Sequence, residues 1–155
     1  MQGLVRPLNE LAEYEELYRN KKKGTGMIRV CGCVNSQKTH MMYALGSGCG
    51  TSGNKEDACR YKVIVCSSET KARQLYEEYR FLDGNTFLYP AKDFLFYQAD
   101  IRSKELVRQR MEGIQAVLGD DPATIVTSLD GFMDYLATKD INRYRALIAK
   151  LGIRK

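Results

Sequence analysis

The run Lys62-Val63-Ile64-Val65-Cys66 leads directly into Ser67-Ser68 and then into a stripe of Ala72, Leu75, Tyr76, Tyr79 and Leu82. A short, continuous apolar strand followed by a capping serine and an amphipathic helix is the unit from which parallel sheets are built. Parallel neighbours need a crossover, and helices then cover the sheet faces. The unit recurs along the chain. Met27–Cys31 is a β-rich run before a helix carrying Met41, Met42, Tyr43 and Leu45. Thr86–Tyr89 is stopped by Pro90 and precedes a helix over 104–118 with Leu106, Val107, Met111, Ile114, Val117 and Leu118 inward. Thr124–Thr127 ends at Ser128, a cap for a helix over 129–137. A first helix over 8–19 places Leu8, Leu11, Tyr14 and Leu17 at spacings of three, and a last helix covers 141–151.

That order predicts an α/β fold, a parallel sheet of about four strands flanked by helices. Residues 1–155 read as a single domain, with a mobile Gly/Ser-rich loop at 46–57 and a helical tail over 138–155. The apolar share of 44% is enough for a core, and the 28% of charged residues is ordinary for a soluble chain. Disordered, collagen-like and disulfide-scaffold classes are excluded. No apolar run approaches the roughly 18 residues that cross a bilayer. MQGLVRPLNELAEYEEL lacks a signal-peptide core, so a cytoplasmic protein is expected.

Five cysteines, Cys31, Cys33, Cys49, Cys59 and Cys66, form one CxC and no pair of CxxC motifs, and His40 is the single histidine. Reduced, half-buried thiols and no metal site are expected. The net charge is +5, part of it in Lys21-Lys22-Lys23. Those lysines read as a solvated loop or as a phosphate-contacting patch of a nucleic-acid binder. Asp120-Asp121 reads as a turn before Pro122. The aromatic run from Phe87 to Tyr97 reads as core plus a contact patch able to stack bases.

One stretch carries chemistry. Gly32-Cys33-Val34-Asn35-Ser36-Gln37-Lys38-Thr39 matches the phosphate-binding loop G-x-x-x-x-G-K-[ST] at Gly32, Lys38 and Thr39. Gln37 replaces the second glycine, placing a side chain where bare backbone would approach a phosphate. Neither Lys62–Cys66 nor Thr124–Thr127 ends in a carboxylate able to hold Mg²⁺. A degenerate phosphate loop without ATP hydrolysis is the expectation. A plain strand-to-helix turn is the alternative, and a working ATP-binding loop that tolerates Gln37 is a third.

Four stretches together resemble the N-terminal, excinuclease-B-like region of bacterial transcription-repair coupling factor. They are GCVNSQKTHMMYAL (32–45), VIVCSSETKARQLYEEYRFL (63–82), FLYPAKDFLFY (87–97), and the segment 108–136 holding RQRMEGIQAVL and TIVTSLDGFMDYL. The likeness runs from about 5 to 137. It implies a helicase-like domain that has lost its ATPase motifs, is not catalytic by itself and serves docking and autoinhibition near DNA. ATP and magnesium then belong to the translocase activity of the full-length family, not to this chain. The implied partners are the excinuclease A subunit and, through the full-length protein, RNA polymerase and DNA. Gly32, Gln37, Lys38 and Thr39 would be the vestigial phosphate loop. Lys21, Lys22, Lys23, Tyr97, Arg102, Arg108 and Arg110 are the candidate partner or DNA contacts.

Overall fold

Strand β3 (Ala123–Ser128) runs through the middle of the structure, and all six of its residues are buried. In the computed structural model, which describes residues 2–24, 26–47, 59–92 and 100–152, β3 is flanked by β1 (Tyr61–Cys66) and β2 (Thr86–Tyr89). The sheet order is β1-β3-β2 and both pairings are parallel, with Val63 opposite Ile125 and Leu88 opposite Val126. Helices α4 (Glu69–Arg80) and α5 (Asp100–Leu118) make the two crossovers. The fold is therefore mixed α/β with a parallel sheet flanked by helices.

One face of the sheet packs on α4. Ala72, Leu88 and Val126 form its buried core, with Ile64, Cys66, Leu75 and Tyr76 against them. The opposite face is covered by α5 over β2 and β3. A Cβ placed on Gly113 would lie 3.6 Å from the Tyr89 ring and 3.9 Å from Ile125 Cδ1. A second cluster joins the N-terminal elements: α1 (Gln2–Val5), a 3₁₀ turn (Arg6–Glu10), α2 (Ala12–Lys23) and α3 (Asn35–Gly46). Its members are Val5, Leu8, Tyr14 and Ala44, with Met41, Tyr43 and Leu45 packed beside them. At the other end α6 (Leu129–Lys139) packs on α7 (Ile141–Leu151), whose first turn is capped by Asp140.

Several expectations are corrected. The described residues hold three strands rather than about four. Met27–Cys31 forms no strand, and Met27 is 89% exposed. The run lies between Gly26 and Gly32, both at positive φ, and pairs with no described strand. β-propensity describes fit to a neighbouring strand, so apolar, branched residues alone do not make one. The continuous apolar run of β1 is not covered on both faces either. Being an edge strand, β1 alternates, and Val63 remains 57% exposed. The helix expected over 8–19 is α2, which begins at Ala12, after a 3₁₀ turn containing Pro7. Lys21–Lys23 are not loop residues; they form the last turn of α2, closed by Gly24 in the left-handed region. Of the expected loop at 46–57, Gly46 and Ser47 end α3, and 48–57 lie outside the described residues.

The junction of β3 and α6 is close-packed. A Cβ on Gly131 would sit 2.7 Å from Thr127 Oγ1 and 3.1 Å from both Ala91 N and Tyr89 O. Two of these three neighbours are backbone atoms and cannot swing aside. Gly131→Val is expected to destabilise the fold by about 2 kcal/mol, the usual size of overpacking. Urea denaturation of the two proteins measures it.

Candidate functional site

The candidate phosphate-loop segment folds as a helix start. Gly32 is exposed with φ of 83°, and Val34 is extended, so α3 opens at Asn35. Gln37 is in the first turn, and its side-chain oxygen accepts from Val34 N at 3.4 Å. It therefore satisfies one of the amides that a helix leaves open at its N-terminus. Lys38 N donates to Val34 O at 3.0 Å, the first bond of the helical ladder. In a phosphate loop such amides stay open to the anion. Here the helix has advanced over the loop, and the Lys38 side chain stands exposed on its surface.

Thr39 faces inward. It is 4% exposed, and its hydroxyl donates to Glu78 Oε2 at 2.9 Å. Gln74 Nε2 donates to Glu78 Oε1 at 3.1 Å, so both carboxylate oxygens of Glu78 accept a bond. Tyr43 meets Tyr79 edge-on at 6.1 Å between ring centroids. Glu78 and Tyr79 lie in the last turn of α4, which returns to the amino ends of the strands. Ligand sites of open α/β sheets lie beyond the carboxyl ends. At those ends stand Cys66, Tyr89 and Ser128, and the Ser128 hydroxyl caps α6 by accepting from Gly131 N at 3.1 Å.

The basic candidates separate in space and role. Lys21 Nζ donates to Leu45 O, which ties α2 to the last turn of α3 and places a cation at that helix's negative end. Lys21 and Lys22 also lie 5.8 and 5.5 Å from the centroid of the Tyr18 ring. Lys22 and Lys23 are exposed. Arg108 is exposed on α5 between Glu105 and Glu112, at 2.8 and 3.2 Å. Arg110 donates to Pro90 O and to the Tyr89 hydroxyl, both at 2.7 Å, pinning α5 to the end of β2. Burial pushes the Tyr89 phenol up, and the Arg110 charge opposes that shift. Arg102 stands in the first turn of α5. Tyr97 lies outside the described residues.

Sequence reasoning missed Glu78, the partner of Thr39, and also Arg80, Lys62 and Asp83. Only the Gln74–Glu78 spacing hinted at a polar face on α4. Lys62 Nζ reaches Asp83 Oδ2 at 2.9 Å, and the Thr124 hydroxyl reaches the same oxygen at 2.9 Å.

Among the described residues no group of three or more His, Cys, Asp or Glu is placed to hold a metal ion. Cys31 is exposed, and Cys33, Cys59 and Cys66 are half-buried; all four are free thiols. Cys49 lies outside the described residues. Burial raises the Cys66 thiol, and the nearby Lys71 partly offsets this. No described helix is long and apolar enough to cross a membrane.

No family model matches the chain. No solved structure matches it significantly. A 24-residue stretch, 16% of the chain, is 67% identical to small ribosomal subunit protein uS15 of Mycoplasma capricolum subsp. capricolum. The same protein of Mycoplasma mycoides subsp. mycoides SC matches at the same identity over the same length. The chain spans 27% of the length of these curated relatives.

Proposed function

We propose that the chain is a non-catalytic docking module of the helicase-like kind, similar to the N-terminal region of bacterial transcription-repair coupling factor. Its degenerate phosphate loop then serves as a structural joint. The observation that carries this reading is the double commitment of Lys38 and Thr39. The Lys38 amide belongs to the α3 ladder, and the Thr39 hydroxyl is buried on Glu78. These are the two groups that would cradle a phosphate and hold magnesium in a working site. They join α3 to α4 instead. The mixed α/β architecture and the resemblance of segments 32–45 and 63–82 to that family are what support the same reading.

Docking to the excinuclease A subunit tests it. Immobilised chain is expected to retain purified excinuclease A, with and without nucleotide, and Lys38→Ala is expected to retain it equally well. No retention in either condition would overturn the docking assignment. Retention that requires ATP and is lost in Lys38→Ala would overturn its non-catalytic character.

A further inference from the structure

The second edge of the sheet, along β2, holds a groove of about 260 Å³ lined by Tyr76, Arg80, Phe87, Leu88, Arg108, Gln109 and Glu112. It lies between α4 and α5, with the strand as its floor. The backbone of that floor is oriented by the parallel ladder. Thr124 N donates to Asn85 O, and Thr86 is in register with Thr124. In a parallel pair the bonding residues of one strand alternate, so Asn85, Phe87 and Tyr89 serve β3. The N–H and C=O of Leu88 therefore point away from β3, toward the groove. No described side chain bonds to either.

The walls differ in charge state. Arg108 is already neutralised between Glu105 and Glu112. Arg80 is not. Among the described residues it meets only Tyr76, donating to the hydroxyl at 3.2 Å with its guanidinium 5.8 Å from the ring centroid. No described carboxylate reaches it. Gln109 Nε2 donates to Glu105 at 3.0 Å, and no described residue bonds its buried side-chain oxygen. Among the described residues the groove thus offers a strand edge with an open donor and acceptor and one cation lacking a counter-charge.

We propose that this groove accepts an extended peptide segment bearing an acidic side chain, which adds to β2 as a further strand and sets its carboxylate against Arg80. Strand addition draws affinity from main-chain bonds and selectivity from side chains that flank the edge. The Leu88 groups supply the first and Arg80 the second. The inference rests on the docking reading above and gives that docking a surface and a partner chemistry.

Fluorescence anisotropy with a labelled alternating Glu-Val hexapeptide tests it on the intact chain. A Lys-Val hexapeptide and a Glu-Val hexapeptide N-methylated at alternate residues are the controls. The Glu-Val peptide is expected to bind, and the Lys-Val and N-methylated peptides about tenfold or more weakly. Arg80→Glu, checked for folding by circular dichroism, is expected to lose the Glu-Val peptide and gain the Lys-Val peptide. Leu88 amide exchange is expected to slow only with the Glu-Val peptide. Absence of Glu-Val binding, equal binding of the N-methylated peptide or an unchanged preference in Arg80→Glu would each overturn the inference. Retention of excinuclease A alongside any of these failures would leave docking standing on another surface. Peptide binding without excinuclease A retention would separate the groove from that partner.

Discussion

Tyr79→Ala is expected to destabilise the protein by about 3–5 kcal/mol, the range for removing a fully buried aromatic ring. Tyr79 is 0% exposed at the junction of three elements. It projects from α4 and meets Tyr43 of α3 edge-on, and its hydroxyl lies 3.5 Å from where a Cβ on Gly46 would stand. Truncation would open a void between the N-terminal cluster and the sheet and would loosen α3. The hydroxyl is a separate matter. It is buried without a well-formed hydrogen bond among the described residues; the nearby Thr124 hydroxyl donates to Asp83 and keeps only acceptor capacity toward it. Burial, and then the Asp83 charge, hold the Tyr79 phenol well above its ordinary pKa. An unsatisfied buried polar group costs stability, so Tyr79→Phe is expected to fall within about 1 kcal/mol of the parent, on either side. Denaturant midpoints of the two variants distinguish ring from hydroxyl. Equal, large losses in both would mean that the hydroxyl holds a bond.

Asp83→Ala is expected to cost about 3 kcal/mol, the lower end of the range for breaking a buried ion pair. The side chains are 21% exposed for Asp83 and 15% for Lys62, so water screens the pair only in part. Removing the carboxylate leaves Lys62 without its counter-charge and the fully buried Thr124 hydroxyl without its acceptor. Asp83 also accepts from Asn85 N at 3.2 Å, which shapes the turn into β2. Burial raises the Asp83 carboxyl, but the hydrogen bond and charge of Lys62, with Thr124 and Asn85, outweigh it and leave the pKa lowered. The sign follows. A depressed folded pKa gives stability that is present above the unfolded carboxylate value of about 3.9 and is lost as pH falls through the folded value. The parent should therefore lose stability on acidification below about pH 4, and Asp83→Ala should lose less over the same window. Thermal melts across that range measure it.

The elements built on long or capped patterns were legible in the residues. The stripe Ala72–Tyr79 behind Ser68, the Ser128 cap and the helix over 141–151 all appear where periodicity places them. These signals are local, and local rules decide them. What failed was whatever depends on a partner surface. Val30 and Ile28 have strand character but no adjacent edge, and Val63 lost cover because β1 ended at the margin of the sheet. The start of α3 at Asn35 lies inside the Gly32–Thr39 motif, which by its glycine and lysine reads as a loop. Gln37 is a residue able to satisfy a helix's own first turn, and the helix extends back to Asn35. The Asp83–Lys62–Thr124 network and the Thr39–Glu78 bond join residues 21 to 41 positions apart, beyond what spacing along one element conveys.

The Gly32–Thr39 segment runs into the first turns of α3, with the Lys38 amide and the Thr39 hydroxyl already bonded within the protein. Isothermal titration of the chain with Mg-ATP shows whether those groups can be released to a nucleotide. The expected result is no saturable heat at millimolar nucleotide, for both the parent and Lys38→Ala. Stoichiometric binding at micromolar concentration that disappears in Lys38→Ala would contradict it.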